Sequence, residues 1–128
     1  KESVGETPSG ELANATLRDK LSGLLIDELA LALTVRRSQE TQKATGAPGP
    51  EISMFKLCQS ELGQRRDELM LRLRGTQALG WDGPGFSSED LTLTRAWLAA
   101  KATTIYGGTS EIQRNIIAKR VLKLPTGN

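Results

Sequence analysis

The residues with the most chemical promise lie at positions 107–111: Gly107, Gly108, Thr109, Ser110 and Glu111. A helix that stops at a double glycine and restarts at a hydroxyl cap presents unpaired backbone N–H groups at the positive end of a helix dipole. Such an end suits a phosphate or another anion. The two glycines place no side chain in the way of a close approach. The same residues also serve any sharp turn between two helices, so the motif alone leaves both readings open. A second glycine-rich break runs from Gln77 to Gly85 and contains Gly80 and Trp81, with Phe86 just beyond. Its aromatic side chains either cover a planar ligand or plug the end of a helical bundle. Cys58 is the single cysteine, and the chain contains no histidine. Without an imidazole base there is no serine–histidine hydrolase and no usual zinc site, so no metal is expected. Cys58 reads as a small buried hydrophobe.

The elements that must position these residues are set by an ordinary composition. Of 128 residues, 38% are apolar and 25% charged, with a net charge of +2. That is one domain's worth of chain, able to bury a core of its own. Basic residues alternate with acids, as in Arg65-Arg66-Asp67-Glu68, and form no stripe. Nucleic acid and anionic membrane are therefore not expected partners. No apolar run is long enough to span a bilayer, and no signal peptide is visible. A lone thiol fits a reducing cytoplasm. The first residue is Lys1, not methionine, which suggests a fragment.

Residues 1–13 carry glycine, proline, serine and acids without an apolar period, and read as a flexible tail or linker. From there Leu17, Leu21, Leu24, Leu25, Leu29, Ala32 and Val35 recur at helical spacing, predicting a helix over about 14–43. Gly46, Pro48 and Gly49 end it. Pro50 suits the first turn of a second helix, with Glu51 complementing its dipole. Ile52, Phe55, Cys58, Leu62, Leu69 and Leu73 form its stripe, and it runs to about 78. A third helix is predicted over about 89–106, with Leu91, Ala96, Trp97, Leu98, Ala102 and Ile105 apolar. Thr109 or Ser110 caps a fourth, with Gln113 completing a Ser-x-x-Gln capping box. Its buried face is Ile112, Ile116, Ile117 and Val121, and Pro125 follows its end. No segment alternates like a strand. The expectation is an all-α, up-and-down bundle of four helices, two long and two shorter, over residues 14–125.

The run Ile105-Tyr106-Gly107-Gly108-Thr109-Ser110-Glu111-Ile112-Gln113-Arg114-Asn115-Ile116-Ile117-Ala118 resembles the C-terminal signature of acyl-CoA dehydrogenases, usually Tyr-Glu-Gly-Thr-Ser-x-Ile-Gln-Arg. Ala47-Pro48-Gly49-Pro50-Glu51, leading into Ser53 and Lys56-Leu57, is similar to the start of that family's second long C-terminal helix. The closing Arg120-Val121-Leu122-Lys123-Leu124-Pro125 also fits. The resemblance covers about residues 14–125. It implies the C-terminal helical domain of a flavoenzyme that also has an N-terminal helical domain and a middle β-domain. Such enzymes hold FAD, oxidise the Cα–Cβ bond of an acyl-CoA and assemble as dimers or tetramers. The domain's first helix, and an arginine that contacts the flavin phosphates, would lie upstream of this chain.

Position by position, the resemblance implies that Thr109, Ser110 and Glu111 contact FAD. Glu111 replaces a common glutamine and brings a negative charge. Gln77, Gly80 and Trp81 match a segment that approaches FAD across the dimer interface, with a small insertion at Asp82 to Pro84. Gly108 falls at a substrate-contact position beside Tyr106. Lys119 stands where many members carry a substrate-contacting arginine, keeping the charge without the fork. Gly107 occupies the position of the glutamate that abstracts the α-proton in many members, so no catalytic residue is expected in this chain. The chain by itself is expected to be inactive. The base then sits upstream, or the subunit is a non-catalytic partner of an unlike, active one. The implied acceptor is an electron-transfer flavoprotein or similar. The branch with this signature includes bacterial proteins acting on bulky steroid-like acyl-CoAs, which implies a bacterial cytoplasmic role in β-oxidation of fatty acids or steroid side chains. A generic helical interaction module is the remaining alternative.

Overall fold

A computed structural model describes residues 5–47 and 49–125. Pro48 and the first four residues of the predicted tail lie outside the described residues. Among the described residues the fold is all-α, as expected, with four α-helices: α1 (Ala15–Thr45), α2 (Ile52–Arg74), α3 (Ser88–Ala100) and α4 (Ser110–Ile116). Residues 5–13 make a hydrogen-bonded turn closed by an antiparallel bridge between Glu6 and Leu12. Arg18 of α1 holds that turn by donating to the Leu12 carbonyl at 2.9 Å.

Local chemistry accounts for the helix ends. Asn14 caps α1 by accepting from the Leu17 amide at 3.1 Å, and the Gly46 amide closes its last turn on the Gln42 carbonyl. Pro50 lies in the turn before α2, not in its first helical turn. Glu51 stands at the α2 N-cap, where its carboxylate accepts from Ser38 of α1 at 2.6 Å and ties the connection to the hairpin. Ser87 caps α3 in a reciprocal arrangement: its hydroxyl accepts from the Asp90 amide and donates to the Asp90 carboxylate at 2.5 Å.

α2 is the rib on which α1, α3 and α4 each pack. Cross-element pairs give the directions. Asp27–Arg65 and Ser38–Glu51 run opposite ways along α1 and α2. Arg74–Glu89 and Gln64–Ala100 do the same for α2 and α3. Lys56–Gly108 and Glu61–Arg114 run the same way, so α4 lies parallel to α2. The four helices therefore alternate up and down.

The core is thin. Leu24, Leu62 and Leu69 are buried, with Leu17, Leu21, Leu31 and Leu73 packed around them. At roughly 1.5–3 kcal/mol per buried leucine, this seam holds the α1–α2 hairpin together. Several residues expected inside are exposed instead: Leu25 and Leu29 on α1, Ile52 on α2, Leu98 and Ile105 at the end of α3, and Ile112 on α4. Leu25, Leu29 and Leu33 form a second apolar stripe on α1 that faces away from α2. Two helix ends also differ from the expected bounds. α2 is α-helical only to Arg74 and tightens to a 3-10 helix over Gly75–Leu79. α3 likewise ends at Ala100 and tightens over Lys101–Thr104. Hydrogen bonds from neighbouring side chains satisfy the carbonyls of these last turns, which allows the tighter geometry. No helix among the described residues is long and apolar enough to cross a membrane.

Candidate functional site

The break between α3 and α4 has a geometry that only glycine tolerates well. Gly107 and Gly108 both have positive φ, 68° and 96°. Two successive left-handed residues turn the chain sharply, and a side chain at either would strain the backbone. A Cβ at Gly108 would also lie 2.8 Å from Nε2 of Gln113. Thr109 then caps α4, its hydroxyl accepting from the Ile112 amide at 3.3 Å. The Ser110–Gln113 capping box does not form. Gln113 is buried, and its side-chain amide donates to the Gly107 carbonyl at 2.9 Å. The reason is register: with Thr109 as the cap, Gln113 falls one place too far along to reach the cap's amide, and faces the turn.

α2 braces the break from below with polar side chains. Lys56 donates to the Gly108 carbonyl at 2.6 Å. Gln64 donates to the Ala100 carbonyl at 3.0 Å and to the Thr104 hydroxyl at 3.1 Å. Glu61 pairs with Arg114 of α4 at 2.5 Å. Neither Lys56, Gln64 nor the inward role of Gln113 is visible in the sequence. The one available signal is polar residues flanking the apolar seam of α2, where a fully solvated face would have no reason to spare them.

The turn itself is open. Tyr106, Gly107 and Glu111 are exposed, while Gly108, Thr109 and Ser110 are half-buried. Among the described residues, no hydrogen bond takes the backbone N–H of Thr109, while the turn through Gly107 directs the Gly108 N–H back toward the end of the preceding helical segment. Hydrogen bonds to its own amide and then to the Thr109 hydroxyl hold the Glu111 carboxyl below its ordinary value. Lys119 is exposed on a π-helical turn that continues α4, roughly 13 Å along the axis from the cap.

The second break lies at the other end of α3. Gly80 is buried against the Phe86 ring, which a Cβ there would strike at 2.3 Å. Trp81 and Gln77 are exposed. Arg95 of α3 covers the Trp81 ring at 5.3 Å and donates to its carbonyl at 3.1 Å. Thr94 fixes the start of this loop by donating to the Ala78 carbonyl at 3.1 Å. The helical rise of α3 and its 3-10 extension separates the two breaks by roughly 25 Å. The structure thus brings Tyr106 to Glu111 together and leaves Gln77, Gly80 and Trp81 apart from them.

Cys58 is partly buried, and burial first, then nearby Glu61, pushes its thiol up. A raised thiol is a poor nucleophile at neutral pH. Among the described residues, no group of three or more acids or cysteines could hold a metal ion.

A helical rib with a glycine turn at one end and a glycine loop at the other is an all-α domain that offers its breaks outward. The family described as Acyl-CoA dehydrogenase, C-terminal domain, matches residues 10–122. The chain belongs to that family. Among its relatives is acyl-CoA dehydrogenase IpdE1 of Mycolicibacterium smegmatis, 37% identical over 78 residues, or 61% of this chain and 19% of the relative. IpdE1 of Mycobacterium tuberculosis is 68% identical over 31 residues, 24% of this chain and 8% of the relative. The chain thus spans no more than a fifth of the lengths of these relatives. The fold is similar to that in the crystal structure of the ChsE4–ChsE5 complex from Mycobacterium tuberculosis. That match has a TM-score of 0.72 and 24% identity, covering 98% of this chain and 32% of the other.

Proposed function

We propose that this chain is the C-terminal helical domain of an FAD-dependent acyl-CoA dehydrogenase that oxidises the Cα–Cβ bond of an acyl-CoA thioester. In this reading the 106–111 break contributes to FAD binding and the exposed helix faces serve subunit assembly. Family membership over residues 10–122, with the glycine turn of that domain standing open, carries the reading.

The residues present fit a flavin cofactor in one respect and resist it in another. The free amide of Thr109, with no side chain over Gly107, allows a polar group to come close. The Glu111 carboxylate repels a phosphate, so the contact there is to a neutral hydrogen-bonding edge. Bound FAD would supply the acceptor for the hydride leaving Cβ. Thr109 and Ser110 would hold it, while Tyr106, Gly108 and Lys119 face the acyl-CoA. Gln77, Gly80 and Trp81 lie too far from this turn to serve the same site. They act on the site of a neighbouring subunit, in a dimer or tetramer.

Proton abstraction comes from outside this chain. Gly107 offers no base, and the Glu111 carboxyl, held low, binds a proton poorly. The carboxylate therefore sits elsewhere in the same subunit or in an unlike partner. Positive φ at Gly107 fits glycine, so this backbone is not a standard site with its side chain trimmed away, which agrees with a base placed elsewhere in either arrangement. The full-length protein that carries this domain tests both. Bound flavin absorbance and dye-linked turnover with fatty and steroid-like acyl-CoAs are measured alone and with candidate partner subunits. Turnover alone places the base in the same subunit. Flavin with turnover only on mixing supports a non-catalytic partner. A preparation without flavin in either case refutes the flavoprotein reading.

A further inference from the structure

The polar brace beneath the glycine turn has a directional consequence. Gln113 draws the Gly107 carbonyl inward at 2.9 Å, and Lys56 draws the Gly108 carbonyl inward at 2.6 Å. A peptide plane has its N–H opposite its C=O, so fixing the Gly108 carbonyl inward turns the N–H of Thr109 outward. Lys56 reaches this carbonyl from α2, 52 residues away in sequence. Among the described residues no carboxylate pairs with it, although acids are plentiful on the same helix. Its ammonium is spent on a backbone oxygen in a partly buried position, where a charged donor makes a stronger bond than a neutral one.

We propose that Lys56 is a positioning residue: it locks the Gly107–Gly108 turn so that the amide of Thr109 points at the bound cofactor or substrate. The cofactor half of this statement rests on the flavoprotein reading above, whereas the locking of the turn does not. The brace also explains the shape of the break. Two left-handed residues in succession are floppy when free, and two inward hydrogen bonds from different helices select one conformer.

The test compares wild type with Lys56→Met, which keeps the aliphatic stem, and Lys56→Arg, which restores a charged donor. Amide hydrogen exchange over residues 105–112 is read by mass spectrometry in the full-length protein, alongside global unfolding and flavin release. The expected result is a selective loss. Exchange over this segment rises about tenfold in Lys56→Met, the size of one charge-assisted hydrogen bond, while exchange over α1 stays unchanged. Flavin release accelerates in step, and Lys56→Arg recovers both. Unchanged exchange in Lys56→Met overturns the locking role. A uniform rise across all helices overturns it too, because that marks a merely structural lysine. If Lys56→Met does not fold, Lys56→Gln, with a shorter neutral donor, must show the same selective rise at smaller size, and its absence counts against the proposal. A wild type without flavin refutes the functional reading alone, since the exchange comparison still decides the fate of Lys56.

Discussion

In the proposed function Gly107 stands at the position of the catalytic base, and replacing it with glutamate should not restore one. The backbone there has φ of 68°, a left-handed conformation that costs a non-glycine residue about 1–2 kcal/mol. Space is not the obstacle: the atom nearest a new Cβ is Cε of Lys56 at 3.9 Å, an ordinary contact. That neighbour decides the chemistry instead. A carboxylate at 107 faces the Lys56 ammonium, and an opposite charge at this range favours the ionised form and weakens the base. The new ion pair, half-exposed, returns about 0–1 kcal/mol. It also competes with the Gly108 carbonyl for the same ammonium. The balance is a net loss of about 1 kcal/mol, or roughly 3–6 °C in melting temperature for a chain of this size.

The assay pairs thermal unfolding with dye-linked turnover in the full-length protein, using Gly107→Ala to isolate the backbone cost. Gly107→Ala and Gly107→Glu should melt within about 3 °C of each other, since they differ by one weak ion pair. Turnover in Gly107→Glu should stay at or below the wild-type level. A gain of about tenfold or more, about 1.4 kcal/mol off the barrier, would mean that the turn relaxes to accept a working base. Neither the φ of Gly107 nor the Lys56 ammonium would then control the chemistry at this position.

Three further outcomes follow from the same geometry. Thr109→Val removes the hydroxyl that caps α4, a loss of about 1 kcal/mol, and should leave flavin retention through gel filtration several-fold lower; undiminished flavin would rule Thr109 out as a contact. The 128-residue chain, made by itself, should be helical, inactive and self-associating through Leu25, Leu29 and Leu33, and Leu29→Glu should shift its light scattering towards monomer. A monodisperse wild-type monomer would contradict that. Stability should hold from neutral pH to near the ordinary glutamate value of 4.5 and fall below it. Folding lowers the carboxyls of Glu51, through Ser38, of Glu68, through Arg72, and of Glu111, through its own amide. Lowered groups favour the ionised folded state, so their contribution disappears as acid protonates them. A melting temperature flat through this range would refute the assignment.

The helices were legible because each has a local cause in its own sequence. Asn14, Gly46, Ser87 and Thr109 mark ends by short-range hydrogen bonds, and a helical apolar period lies between them. What was not legible is which apolar face is inside. Leu17, Leu21, Leu24 and Leu31 form the seam against α2, yet Leu25, Leu29 and Leu33 repeat at equally helical spacing and stay exposed. Periodicity identifies an apolar face and cannot assign the surface that covers it. The same limit applies at the candidate site. The glycine pair announces a turn, because few other residues accept positive φ. Lys56 announces nothing, since a lysine in a helix is solvated by default and its carbonyl partner lies 52 residues on. Gln113 shows a local rule losing to a tertiary contact: a capping-box spacing was present, and the residue served the Gly107 carbonyl instead.

The thin core and the divided site make one argument. Three buried leucines hold the hairpin, while a leucine stripe of comparable length on α1 faces outward. A stripe of that kind stays in water at a cost proportional to its area, and covering it recovers about 25 cal/mol per Å². The cheapest cover is another helix aligned with α1. Meanwhile the two glycine breaks sit at opposite ends of α3, farther apart than any one chain can close. In the proposed function, a neighbouring subunit aligned with α1 would also bring its 77–81 loop to a 106–111 turn that is not its own. On this reading burial and site assembly are one event, so substitutions on the α1 stripe should reduce flavin retention although none of them lies in either break.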